Sequence, residues 1–189
     1  MKQYPINLKI EYSEKSNKST ALFRLVLIIP IILILALISS YAEALSIAVA
    51  LMIIFKEKYP KWWFDWNVGI TKFIYRIAAY GLLMRDEYPS TEDEQAVKVD
   101  IPYPDTKKDL NRWMPLVKWF LAIPHFIALV FMFIAVVFCT IFAWFAILFT
   151  GRYPRGIFDF VEGFLRWSLR VNAYAFLLTT DQYPPFKLG

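Results

Sequence analysis

From Trp119 to Gly151 the chain runs for 33 residues without a charged side chain. A run of roughly 18 or more apolar residues reads as membrane-embedded. A second run, Leu25 to Phe55, has 31 residues without Lys or Arg, and Glu43 is its only charge. Composition agrees: 58% of the 189 residues are hydrophobic, against about half in a soluble domain. A polar stretch of about twenty residues precedes the first run. No short apolar region followed by a small-residue cleavage site is present, so the run is expected to belong to the mature protein.

The halves repeat one another. At a shift of 94 residues Ile29-Pro30 falls on Ile123-Pro124, Tyr59-Pro60 on Tyr153-Pro154, Phe64-Asp65 on Phe158-Asp159, Gly69 on Gly163, Arg76 on Arg170, and Ala79-Tyr80 on Ala173-Tyr174. From Arg24 to Met84, 16 of 61 ungapped positions are identical. Shared Pro, Gly, Asp and Arg positions separate this from a chance match of two apolar stretches. With small gaps Tyr88-Pro89 matches Tyr183-Pro184. Upstream, Ile6–Ile10 resembles Val97–Ile101, each leading to a tyrosine, Tyr12 and Tyr103. Both pieces alternate apolar and polar residues, which is strand periodicity. Thr91–Lys98 is polar and acidic and marks the boundary, giving units 1–94 and 95–189.

Each apolar segment is awkwardly long. About 35 residues of helix would extend roughly 52 Å, against a hydrocarbon core of about 30 Å. One long tilted span and a helical hairpin both remain open. Both ends of each segment are basic: Lys15, Lys18 and Arg24 before the first, Lys56, Lys58 and Lys61 after it; Lys107, Lys108, Arg112 and Lys118 before the second, Arg152 and Arg155 after it. The positive-inside tendency favours the hairpin, which keeps every flank and both termini cytoplasmic. Ser39-Ser40-Tyr41-Ala42-Glu43 would supply the first outer turn and the apolar Phe133–Val137 the second. Pro30 and Pro124 are expected to bend or start the first leg.

The helix expected after each Tyr-Pro carries charge on one face. Asp159, Glu162, Arg166 and Arg170 are spaced for it, and Asp65, Lys72 and Arg76 repeat the pattern. The other positions are mainly apolar. A narrow polar stripe suits an interfacial amphipathic helix, with a buried span carrying internal ion pairs as the rival. The fold class is therefore mainly α, integral membrane: two pseudo-symmetric repeats, each a short β-strand, a transmembrane helical hairpin and an amphipathic interfacial helix.

The string Ala143–Phe160, followed by Leu165-Arg-Trp167, Arg170-Val-Asn-Ala-Tyr174 and Tyr183-Pro-Pro185, resembles a bacterial family of small membrane proteins, domain-of-unknown-function family 4389. The resemblance spans residues 97 to 187. The first copy is a degenerate version, with Lys56-Glu57 in place of Thr-Gly and Trp62-Trp63 in place of Gly-Ile. The resemblance implies a bacterial inner-membrane protein, which the hairpin reading makes multi-pass. It brings no catalytic residues.

Reactive groups are sparse. His125 is the only histidine and Cys139 the only cysteine, so there is no intrachain disulfide and no metal-ligand spacing. Both read as packing residues. No phosphate-cradling Gly-rich loop or nucleophile elbow occurs. No cofactor and no catalytic residue is expected, and the net charge of +5 is assigned to an anionic membrane surface, not to nucleic acid. The candidate lipid or anion site is the basic loop at each helix entrance, Lys58 and Lys61 with Arg152 and Arg155, beside free helix N–H groups. The alternative for these residues is topology anchoring by snorkelling. The function expected is a non-enzymatic membrane accessory or scaffold protein that forms a homo-oligomer or docks another membrane protein; a transporter, channel or lipid-handling oligomer is the alternative.

Overall fold

The computed structural model describes residues 4–38 and 46–189 in full. The elements follow in the order β1 (Asn7–Ile10), α1 (Lys18–Leu27), α2 (Ile29–Lys56), α3 (Lys61–Gly81), β2 (Val97–Asp100), α4 (Met114–Thr150) and α5 (Arg155–Ala175). Both strands sit where apolar and polar residues alternate. They pair antiparallel, Leu8 opposite Val99 and Lys9 opposite Lys98.

Local chemistry sets the helix ends. Asn17 caps α1 by accepting from the N–H groups of Ser19 and Thr20. Pro30 starts α2, as expected, since its missing N–H is one the first turn leaves unused; α1 and Ile29–Ile38 meet at a bend of 43°. The C-terminal caps of α2 and α4 are left-handed, Glu57 at φ 50° and Gly151 at φ 72°. Gly151 adopts that conformation without a Cβ clash, and the first copy forces a glutamate into it. Pro60 and Pro154 precede α3 and α5, and each carbonyl accepts from the N–H four residues on, Phe64 and Phe158.

The second hairpin is not formed. α4 is one helix of 37 residues, about 55 Å long, and it runs through Phe133–Val137 without a turn. That stretch has no Gly, Pro, Asn or Asp to break an i to i+4 ladder. Pro124 lies inside α4 and does not start it. The expected outer turn at Ser39–Glu43 lies outside the described residues. Among the described residues α4 is the one helix long and apolar enough to cross a membrane, with the bent α1–α2 pair as a second candidate.

The elements stack in three layers. β1 packs on α5 and β2 on α3; α5 in turn packs on α4, and α3 on α2. The sheet buries Leu8, Ile10, Val97 and Val99 against the middle layer. α4 buries one stripe, including Pro115, Lys118, Ala122, His125, Val136, Ala143 and Ile147. It exposes Phe120, Phe131, Phe138, Phe142 and Phe149.

The tail after α5 crosses that helix at Gly163, where an added Cβ would come within 2.7 Å of Leu188 Cβ and 3.0 Å of its carbonyl oxygen. Gly156 has nothing within 4 Å. Gly163→Ala is expected to lower stability by about 1–3 kcal/mol through overpacking. Gly156→Ala should be neutral or slightly stabilising. Thermal unfolding in detergent compares the two.

Candidate functional site

Each half reaches across to the other at its Tyr-Pro entrance. The Tyr12 hydroxyl donates to the Tyr153 carbonyl at 2.6 Å, and the Tyr103 hydroxyl donates to the Tyr59 carbonyl at 2.5 Å. Both rings meet the next aromatic edge-on, Tyr12 on Phe158 and Tyr103 on Phe64, each with centroids 5.0 Å apart. A cation lies over each arm ring, Arg155 over Tyr12 at 4.6 Å and Lys61 over Tyr103 at 5.6 Å. Each cation pairs one turn along its own helix, Arg155 with Asp159 at 2.9 Å and Lys61 with Asp65 at 2.7 Å.

The same exchange occurs at the long helices. Lys18 Nζ donates to the Phe149 carbonyl at 3.2 Å, near the end of α4. Arg112 Nη2 donates to the Ile54 carbonyl at 2.7 Å, near the end of α2. Terminal carbonyls of a helix lack intrahelical partners, so each half supplies the cation that caps the other. Buried cations also match: Arg24 with Asp86 at 2.5 Å beneath Tyr80, and Lys118 with Asp181 at 2.7 Å beneath Tyr174. Asp86 and Asp181 each accept as well from a main-chain N–H, those of Asn17 and Asn111. Both cations read from sequence as flanking charges alone. Their spacing gave no hint of an acid more than sixty residues away.

The four candidate lipid ligands divide. Lys61 and Arg155 are engaged as above. Lys58 and Arg152 are exposed and have no ion-pair partner among the described residues. The entrance tyrosines they flank are buried, and burial pushes the Tyr59 phenol up to about 12 and raises that of Tyr153.

Most of the charged stripe of α5 faces main-chain groups of β1 and the tail. Glu162 Oε1 accepts from Ile10 N–H at 2.8 Å, Arg166 Nε donates to the Leu8 carbonyl at 2.8 Å, and the two side chains pair at 3.1 Å. Arg166 also donates to the Leu188 carbonyl, and Arg170 to those of Lys187 and Gly189. The stripe thus holds β1 and the tail. On α3, Arg76 holds the Ser90 carbonyl at 2.5 Å and Lys72 is exposed. Asp65 and Asp159 pair with Lys61 and Arg155, not with Arg76 and Arg170. His125 lies in an aromatic cluster, accepting from Trp167 Nε1 at 3.1 Å and stacked on Phe186 at 3.9 Å.

The family model described as "Domain of unknown function (DUF4389)" matches this chain twice, over residues 18–91 and 112–187. No curated protein and no solved structure matches it.

Two outcomes follow from this geometry. Tyr12→Phe and Tyr103→Phe should each cost about 1 kcal/mol of stability, the net worth of one hydrogen bond, and the two losses should be alike in thermal melts. Reversing Lys58 and Arg152 to Glu should weaken flotation with anionic liposomes by about tenfold or more. Reversing the paired Lys61 and Arg155 should weaken it less.

Proposed function

Because the chain belongs to the DUF4389 family and carries its domain in two tandem copies, we propose that it is a non-enzymatic, membrane-embedded scaffold. Its two pseudo-symmetric halves brace one another and present the sheet as a docking platform on the cytoplasmic side. The matched arms, caps and buried cations at a near-constant sequence interval support the pseudo-symmetry. Lys58 and Arg152 contact anionic headgroups.

The observation that carries this reading is the depth of the charged layer. Phe164 of α5 touches Phe133, close to the midpoint of α4. Glu162 and Arg166 flank Phe164 and bond β1, whose Lys9 is exposed, as is Glu11 just beyond it. If α4 crossed the bilayer, these charges would lie at the depth of its centre, where each costs several kcal/mol. Laid in one leaflet, α4 and the bent α1–α2 pair sink their outward aromatic and aliphatic side chains among the acyl chains. The sheet stays in water, and the basic groups at both ends of α4 stay on one side. The hairpin was invoked to place the basic flanks together; an in-plane helix achieves it without a turn. The excess length of α4 over the hydrocarbon thickness then disappears as a problem.

Accessibility labelling tests this. With Cys139 replaced by Ala, single cysteines at Lys9, Lys98, Lys107 and Arg152 should all react with an impermeant reagent from the cytoplasmic face of sealed vesicles. Labelling of positions 107 and 152 from opposite faces would establish a crossing helix and refute the placement.

A further inference from the structure

The two edges of the sheet are treated differently. On the β1 edge, Glu162 and Arg166 satisfy Ile10 N–H and the Leu8 carbonyl. For β2, the bond from Glu11 N–H to the Ala96 carbonyl, 3.1 Å, fixes the alternation. With Lys9 opposite Lys98, Lys98 and Asp100 bond inward to β1, and Val97 and Val99 direct their N–H and C=O groups outward. Among the described residues nothing bonds those outward groups. The α3 positions equivalent to Glu162 and Arg166 hold Val68 and Lys72. Val68 has no acceptor, and Lys72 is exposed. The flank below is open too: Gly163 is covered by Leu188, but its counterpart Gly69 has nothing within 4 Å. A groove of about 480 Å³ runs along this edge, lined by Lys72, Arg76, Val97 and Val99.

We propose that the β2 edge pairs antiparallel with the β2 edge of a second copy, centred on Val99, to form a four-stranded sheet in the order β1-β2-β2-β1. Charge selects this partner and this register. Lys98 and Asp100 are exposed on the same face, and pairing Val99 with Val99 sets Lys98 opposite Asp100 of the second copy, twice. A slip of two residues either way sets Lys98 on Lys98 or Asp100 on Asp100, and like charges directly opposite are unfavourable. Lys98 is held by Glu11 at 2.7 Å, but both side chains are more than half exposed, so that surface pair leaves Lys98 free to be shared. Paired strand edges remove an unblunted edge that otherwise recruits strands indiscriminately. The inference rests on the in-plane placement: the two-fold axis runs normal to the sheet, so both copies keep their apolar layers in one leaflet.

Dimerisation in lipid nanodiscs, read by single-molecule photobleaching, tests it. Val99→Pro removes an outward N–H and spares the β1–β2 ladder, an edge position where proline is tolerated; it should weaken the dimer by about tenfold or more. Lys98→Asp should weaken it comparably, and the Lys98→Asp/Asp100→Lys exchange should restore it to within about twofold. A wild-type chain that is monomeric at micromolar concentration, or a dimer indifferent to Val99→Pro, overturns the proposal. An exchange variant that stays monomeric while Lys98→Asp alone is folded overturns the register. The labelling pattern of the same samples reads the membrane placement separately, so an edge-dependent dimer with α4 crossing the bilayer would refute the placement and leave the edge pairing standing.

Discussion

An apolar helix of 37 residues with a single buried stripe is the constraint from which the rest of this structure follows. The stripe lets α4 dock on α5 and α1, yet most of its circumference remains apolar and uncovered. Each large side chain left in water would forfeit roughly 2 kcal/mol of burial. The elements described do not wrap that surface, which is why an apolar environment is proposed for it. In that placement the charged sheet layer belongs on the far side of α3 and α5, and the charges of α1 and α4 at the ends of the long helices. The sheet, the stripe of α5 and the tail are all found there.

The exchange of arms explains why two copies occur in one chain. Alone, neither half is complete. The Tyr59-Pro60 entrance lacks the tyrosine that bonds its carbonyl, because that group is Tyr103. The end of α2 lacks its cation, because that group is Arg112. The reciprocal statements hold for Tyr12 and Lys18. Two-stranded pairing is marginal by itself, and here it is supported from beneath by a helix of each half. Linking the halves covalently makes each exchange intramolecular, which removes the translational cost a dimer of single copies would bear.

Much of this was legible in the residues. The repeat, both strands, the Tyr-Pro starts of α3 and α5 and the role of Pro30 were readable because each depends on local chemistry: alternation, fixed proline φ, a recurring interval. The second hairpin was misread for an equally physical reason. Basic groups at both ends of a segment favour one side for both ends, and a turn and an in-plane helix satisfy that equally. At Phe133–Val137 the absence of any turn-forming residue was the better signal. The charged stripe of α5 was read as an ion-paired face of an interfacial helix, because periodicity shows which residues share a face and not what lies against it. Backbone carbonyls of β1 and the tail, which carry no side-chain signature, are what occupy it.

The inequality of the copies also has a physical pattern. α5 spends two charges, Glu162 and Arg166, on the main chain of the adjacent strand, and Gly163 gives up its side chain so that the tail can lie across the helix. α3 keeps the glycine and the outer arginine but replaces the two strand-binding charges with Val68 and Lys72. A degenerate copy drifting freely would be expected to lose its shared features together. This one retains Tyr59-Pro60 and Asp65, which build the entrance, and Arg76, which holds Ser90, and lacks the pair whose role in α5 is to bond a strand edge. One difference between the halves therefore falls at the outer edge of β2, where one half of the molecule bonds the edge of its strand and the other leaves it open.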